Sequence, residues 1–174
     1  MKFSQIKIVI FDCDGVLTDG IYQISESGEV TKSFYTRDFE AIQKLMCICR
    51  VMIVTQSYDR VINKQIERIC SHSKIWSDAI KGGSLSVFTG VDNKVKIIND
   101  ELIERGLGWD QVAYIGDAAN DLECMKKAYY SGCPSDAIES VRDWVNYESD
   151  FPGGRGAVAD FCDYIYKEND KENR

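Results

Sequence analysis

Apolar residues crowd positions 6–11 and stop abruptly at two aspartates one residue apart, Asp12 and Asp14, within the stretch IKIVIFDCDGVLTDG at 6–20. A run rich in Ile, Val and Phe predicts a strand, and apolarity on both faces places it inside a covered parallel sheet. Residues 20–35 alternate apolar and polar around SESGE, which predicts a β-hairpin with Gly28 in its turn. Residues 38–49 return to helical spacing through Phe39, Ile42, Leu45, Met46 and Cys49, with Asp38 as the expected N-cap. A second short buried strand follows at 51–54 and ends at Thr55-Gln56-Ser57. Residues 58–70 carry a helical stripe through Val61, Ile62, Ile66 and Ile69.

Beyond it, Ile75-Trp76 is expected as a third strand and His72 as a surface loop residue, and 79–91, with three glycines, as an irregular loop. Residues 92–106 predict a helix through Val95, Ile98, Leu102 and Ile103, closed by Gly106 just past its end. A strand at 111–115 leads into Gly116-Asp117-Ala118-Ala119-Asn120-Asp121, and helical spacing resumes through Leu122, Met125 and Ala128. A strand at 129–133, a helix within 136–145, an edge strand at 145–147, the segment GGRG at 153–156 and a last helix at 157–167 complete the pattern. Strands alternating with helices define the fold class: α/β, a three-layer doubly wound, Rossmann-like parallel sheet with helices on both faces. No repeat or linker divides the chain, so one domain is expected over 1–168, with a polar tail at 169–174.

The remaining composition narrows the class of partner. The chain has 174 residues, 44% of them hydrophobic, and a formal net charge of −7. That charge argues against nucleic acid or an anionic membrane as the main partner, because a phosphate backbone is bound by an excess of Lys and Arg. It leaves room for a small anion, which reads only the local field. The seven cysteines form no CxxC pair and most sit in apolar runs, so they read as buried free thiols of a reducing compartment. MKFSQIK leads directly into the first strand without a signal peptide, and no apolar run approaches the ~20 residues of a membrane helix. A cytoplasmic location is expected.

Polar residues gather where apolar runs end: Asp12 and Asp14, Thr55, Lys94 at a helix start, and Asp117 with Asp121. Singly each has an ordinary explanation as a turn residue, a cap or a solvated charge. Their order matters, because the carboxyl ends of neighbouring strands in such a sheet converge on one crevice. Two carboxylates at one strand end repel each other, and a divalent metal between them is the economical answer.

FDCDGVLTDG, a strand ending in Thr, a Lys at a helix start and GDxxND together resemble the haloacid dehalogenase superfamily of phosphotransferases. DGVLTDG running straight into a hairpin with no inserted cap domain, then VAYIGD and a late GGRGAV, is similar to the small phosphatases of keto-deoxy sugar acid phosphates. Those are the 3-deoxy-D-manno-octulosonate 8-phosphate and nonulosonate 9-phosphate phosphatases, and the C-terminal domain of animal CMP-sialic acid synthetases resembles the same group.

The resemblance implies a nucleophile at Asp12 that forms an aspartyl phosphate, and an acid and base at Asp14. It implies Mg²⁺ held by Asp12, the Asp14 carbonyl and Asp117, with Lys94 and Thr55 on the phosphoryl oxygens and Asp121 orienting Lys94 or a metal-bound water. Gln56, Ser57, Lys64, Arg68 and Arg155 are candidates for reading the sugar acid. It also implies a homotetramer in which the hairpin and the GGRGAV segment close an otherwise open site. The chain departs from the usual pattern at Ala118, where many relatives carry a second acid, and at Gln56-Ser57, where many carry Gly with Arg or Glu. Residues 71–91 look longer than in compact relatives, as a partial lid or an altered subunit contact would be. Two other readings stay open: a non-catalytic oligomerisation domain, and a phosphomutase, for whose cap the chain has little room.

Overall fold

The computed structural model describes residues 5–172. Six strands form one sheet: β1 (Ile8–Phe11), β4 (Arg50–Val54), β5 (Leu85–Phe88), β6 (Val112–Ile115), β7 (Tyr130–Cys133) and β8 (Tyr147–Glu148). Their spatial order is β5-β4-β1-β6-β7-β8 and every pairing is parallel. A separate two-stranded hairpin pairs β2 (Gln23–Ile24) with β3 (Val30–Thr31). Gly28 takes its turn at a φ of +83°, a left-handed conformation open to glycine at little cost.

The helices are α1 (Thr36–Leu45), α2 (Val61–His72), α3 (Lys74–Lys81), α4 (Lys94–Glu104), α5 (Leu122–Lys127), α6 (Glu139–Arg142) and α7 (Ala157–Glu172). The strict two-residue period of a strand splits the core in two. Val9 and Phe11 of β1, with Val51, Ile53, Ala113 and Ile115, pack beneath α1, α2, α3 and α7 through Ile42, Leu45, Ile66, Trp76 and Phe161. Ile8 and Ile10, with Met52, Val54, Val112 and Tyr114, pack beneath α4, α5 and α6 through Ile98, Leu102, Met125 and Val141. Each fully buried large side chain contributes roughly 1.5–3 kcal/mol from area alone. The expected three-layer α/β architecture is the one observed.

Several expectations are corrected. Ile75 and Trp76 lie in helix α3, not in a strand, because Trp76 and Ala79, three residues apart, face the core together. His72 is the last residue of α2 and not a loop residue. The 79–91 stretch is not wholly irregular: Leu85–Phe88 forms the edge strand β5. Residues 71–91 are therefore integral to the fold and form no lid. Asp38 does not cap its own helix, which starts at Thr36; its carboxylate accepts the Ala159 N–H at 2.9 Å, so it caps the start of α7. The edge strand falls at Tyr147–Glu148 rather than 145–147, and α6 is a single turn. Helix α7 runs through Glu172, past the expected stop at 167. The last two positions of the expected tail, 173–174, lie outside the described residues.

Of the seven cysteines, all unpaired, Cys13, Cys124, Cys133 and Cys162 are buried and Cys47 is exposed. Among the described residues no helix is long and apolar enough to cross a membrane.

Candidate active site

The chain winds outward from β1 to β4 and β5, then returns to β6 on the other side of β1. Ligand crevices open at such a reversal, beyond the carboxyl ends of the strands. Here the three central strands end in Asp12, Thr55 and Gly116-Asp117. The backbone continues the ladder briefly, with Asp12 N–H donating to the Ile115 carbonyl and Thr55 N–H to the Phe88 carbonyl. Just past the strand, Cys13 is buried in the core while its two acidic neighbours line the crevice. The chain then folds over the Cys13 carbonyl, which accepts N–H groups from Val16, Leu17 and Thr18.

Lys94 is the first residue of α4 and only 3% exposed. Its Nζ donates to Asp12 Oδ1 at 2.6 Å and to Asp121 Oδ1 at 2.7 Å. Asp121 is fully buried, and four donors use its two oxygens. Oδ1 accepts from Lys94 and from the Tyr114 hydroxyl at 2.6 Å; Oδ2 accepts the N–H groups of Asp117 and Ala118 at 3.2 and 3.3 Å. Asp121 thus ties the 116–121 turn together and holds Lys94.

Asp12, Asp117 and Asp121 offer carboxylate oxygens within 4.8 Å of one another, a group able to hold a metal ion. Asp121 is already saturated, which leaves Asp12 and Asp117 as the better donors. Asp117 Oδ1 is buried without a hydrogen-bond partner, a costly condition that a cation would relieve. Glycine at position 15 makes the space: a Cβ there would lie 2.1 Å from Asp117 Oδ2, and its φ is +82°. One lysine faces three carboxylates. Burial, then the charge of Asp121, pushes the Asp12 carboxyl up to about 7 against the opposing pull of Lys94. The same two causes push Asp117 up to about 7. An all-oxygen donor set with excess negative charge fits a divalent cation.

A cleft of about 350 Å³ opens over this group, lined by Asp12, Asp14, Thr55, Gln56, Ser57, Asp117, Ala118 and Asn120. The Thr55 hydroxyl oxygen accepts the Ser57 N–H at 3.1 Å, so its proton is free to be donated into the cleft. Gln56 Oε1 accepts from Asn120 Nδ2 at 2.9 Å, bridging the loops after β4 and β6. The Asp14 carboxylate lies outside the cluster of three. Thr18 donates to its Oδ1 at 3.2 Å, and Lys32 Nζ stands 2.8 Å from each oxygen.

The expected residues Asp12, Asp14, Thr55, Gln56, Ser57, Lys94, Asp117 and Asp121 are thus brought together. Lys64, Arg68 and Arg155 are not. Lys64 is exposed and paired with Glu67 at 2.7 Å, and Arg68 is an exposed residue of α2. Arg155 is 70% exposed, 3.7 Å from Asp19, and lines a different cavity beside Tyr35, Arg37 and Lys44. The GGRG segment instead supports the site from behind. Gly153 packs so closely that a Cβ would lie 2.0 Å from the Gly15 carbonyl oxygen, and Gly154 N–H donates to the Val16 carbonyl at 2.9 Å. Sequence reasoning missed Lys32, Asp59 and Asn120. Only the alternation in 20–35, which puts Lys32 on the same side of its strand as Val30, hinted at the first.

The haloacid dehalogenase-like hydrolase family matches residues 2–161, and the chain belongs to it. The 3-deoxy-D-manno-octulosonate 8-phosphate phosphatase of Salmonella typhi is 28% identical over 165 residues, covering 94% of this chain and 81% of that protein. The Moraxella catarrhalis enzyme of the same name, solved with a magnesium ion, a phosphate ion and a KDO molecule, superposes with a TM-score of 0.83. It is 25% identical, over 99% of this chain and 92% of the other. The chain is also 27% identical to N-acylneuraminate cytidylyltransferase B of Danio rerio, covering 98% of itself but 38% of that protein.

Proposed function

We propose that this hydrolase is a Mg²⁺-dependent phosphatase that cleaves the phosphate monoester of an acidic keto-deoxy sugar, of the octulosonate 8-phosphate or nonulosonate 9-phosphate type. The observation that carries the reading is the buried Asp12–Lys94–Asp121 chain beside the unpartnered Asp117 oxygen, at the floor of a cleft walled by Asp14 and Thr55.

Lys94 occupies Asp12 Oδ1, which leaves Oδ2 to attack phosphorus. The Asp12–phosphorus bond forms, the bond to the sugar oxygen breaks, and Asp14 gives its proton to that oxygen. Asp14 then takes a proton from water; the water oxygen bonds to phosphorus and Asp12 is released. Mg²⁺, held by Asp12, Asp117 and the Asp14 carbonyl, would neutralise phosphate charge that the carboxylates otherwise repel. Thr55 donates its hydroxyl to a phosphoryl oxygen, Lys94 offsets charge on the nucleophile, and Asp121 keeps Lys94 aimed. The similarity to the magnesium- and phosphate-containing relative supports both the ion and the ester class.

Ile21, Tyr22 and Ile24 on the hairpin are exposed, which supports a homotetramer in which neighbouring chains cover the sites. The unpaired cysteines support a cytoplasmic setting. Phosphate release from a panel of 8- and 9-phosphorylated keto sugar acids, with and without EDTA, tests the activity. Asp12→Asn is the control, and undiminished turnover in that variant overturns the nucleophile. The similarity to part of a cytidylyltransferase favours a second reading, a non-catalytic assembly domain. A stable oligomer without turnover on any ester would select it.

A further inference from the structure

Lys32 follows β3 directly, on a hairpin whose four strand residues are all exposed or half-buried, yet its own side chain is only 4% exposed. Its ammonium stands 2.8 Å from each Asp14 oxygen, donates to Ser57 Oγ at 3.1 Å and forms an ion pair with Asp59. Ser57 Oγ in turn donates to Asp59 Oδ2 at 2.5 Å, and Asp59 Oδ1 accepts the Val61 N–H at 2.9 Å at the start of α2. The result is a closed ring of Lys32, Asp59 and Ser57, with Asp14 held on the Lys32 ammonium, that joins hairpin, catalytic loop and helix. It borders a second cavity of about 200 Å³, lined also by Gly20, Tyr22 and Val30, which shares Asp14 and Ser57 with the phosphoryl cleft.

Burying an ammonium is costly unless it is closely paired, and a hairpin could be tethered by apolar contact alone. Two carboxylates already answer Lys32, so it is poorly suited to reading a substrate anion. What the ring does determine is the position of one carboxylate, Asp14, which lines the cleft.

We infer that Lys32, anchored by Asp59, is a positioning residue that aims Asp14 at the leaving-group oxygen. This rests on the phosphatase reading. The proton passes from Asp14 to that oxygen, and Lys32 transfers none. The hairpin is then part of the catalytic apparatus of its own chain.

The dependence on leaving group separates this role from a tether. A sugar alkoxide departs only with a proton, whereas p-nitrophenolate departs without one. Lys32→Met is expected to lower kcat/KM about 100-fold for alkyl phosphates and less than about 5-fold for p-nitrophenyl phosphate, the span set by loss of general acid catalysis. Across a series of esters, log kcat/KM should fall more steeply with leaving-group pKa in the variant than in the wild type. Lys32→Arg should recover part of the alkyl activity. Asp59→Asn should show a smaller split of the same sign, and it reads out the same ring if Lys32→Met fails to fold. Equal losses across the series in both variants, with wild-type turnover intact, would overturn the inference alone. Wild-type inactivity on every ester would overturn the phosphatase reading and this inference with it.

Discussion

The stability of the metal-free protein should fall as pH rises from 5 to 8, and Mg²⁺ should restore it. Asp12 is 4% exposed and its carboxyl is pushed from 3.8 up to about 7, chiefly by burial and by the charge of Asp121. A folded value above the unfolded one means that the folded chain binds the extra proton between those two pH values. Stability is then greatest below the unfolded value and is lost as pH climbs through the folded one. Between pH 5 and the folded value, roughly two units correspond to about 3 kcal/mol, a large share of the 5–15 kcal/mol typical of a domain. Asp117 is pushed the same way, and Asp38, raised to about 6 by burial, adds its part below that pH. Urea unfolding at pH 5, 6, 7 and 8 in EDTA reads the slope, and the same series in millimolar Mg²⁺ should flatten it. Asp12→Asn should also flatten it and be more stable than the wild type at pH 8 without metal. Metal-free stability that climbs steadily from pH 5 to 8, or a slope unaltered in Asp12→Asn, would refute the reasoning.

Gly15→Ala forces a Cβ to within 2.1 Å of Asp117 Oδ2 at a φ of +82°, so it should abolish both activity and the Mg²⁺-induced rise in Tm. Gly153→Ala places a Cβ 2.0 Å from the Gly15 carbonyl oxygen; we expect a loss of about 1–3 kcal/mol in urea unfolding and a drop in kcat. Asp38→Ala removes the cap of α7 and should cost about 1–2 kcal/mol, seen as a lower Tm with KM unchanged. Lys64→Ala and Arg68→Ala lie on the exposed face of α2 and should each change stability by less than about 0.5 kcal/mol in the same unfolding assay.

The residues that follow a strand were readable because polarity changes there within one position, Phe11 to Asp12 and Val54 to Thr55, and Lys94 because it opens the helical stripe that begins at Val95. A covered sheet allows no other place for those charges. What escaped has a different character. Lys32 looks like any hairpin lysine, since nothing local says that Asp14, 18 positions back, will bury it. Asp38 satisfies the local pattern of an N-cap but spends its carboxylate on a helix 121 positions away. Strand β5 is an edge strand of four residues with a serine inside it, and it follows two glycines, so its alternation is too brief to stand out. Trp76 draws the eye as a strand residue, yet it is the spacing to Ala79 that buries it. The glycines at 153 and 154 resemble a loop signal. Their close approach to residues 15–18 is a matter of tertiary packing.

That approach bears on how the protein matures during synthesis. Asp12, Lys94, Asp117 and Asp121 all leave the ribosome before the segment at 153–156 does. The loop that bears Asp14 nonetheless rests on Gly153 and Gly154, and α7 begins only at Ala157. A nascent chain arrested at residue 150 would carry every acid and lysine of the centre and still leave the catalytic loop without its support. Hydrolytic competence should therefore appear late and all at once. Ribosome-bound chains of increasing length, assayed for ester cleavage, should stay silent until the segment after 153 has cleared the exit tunnel.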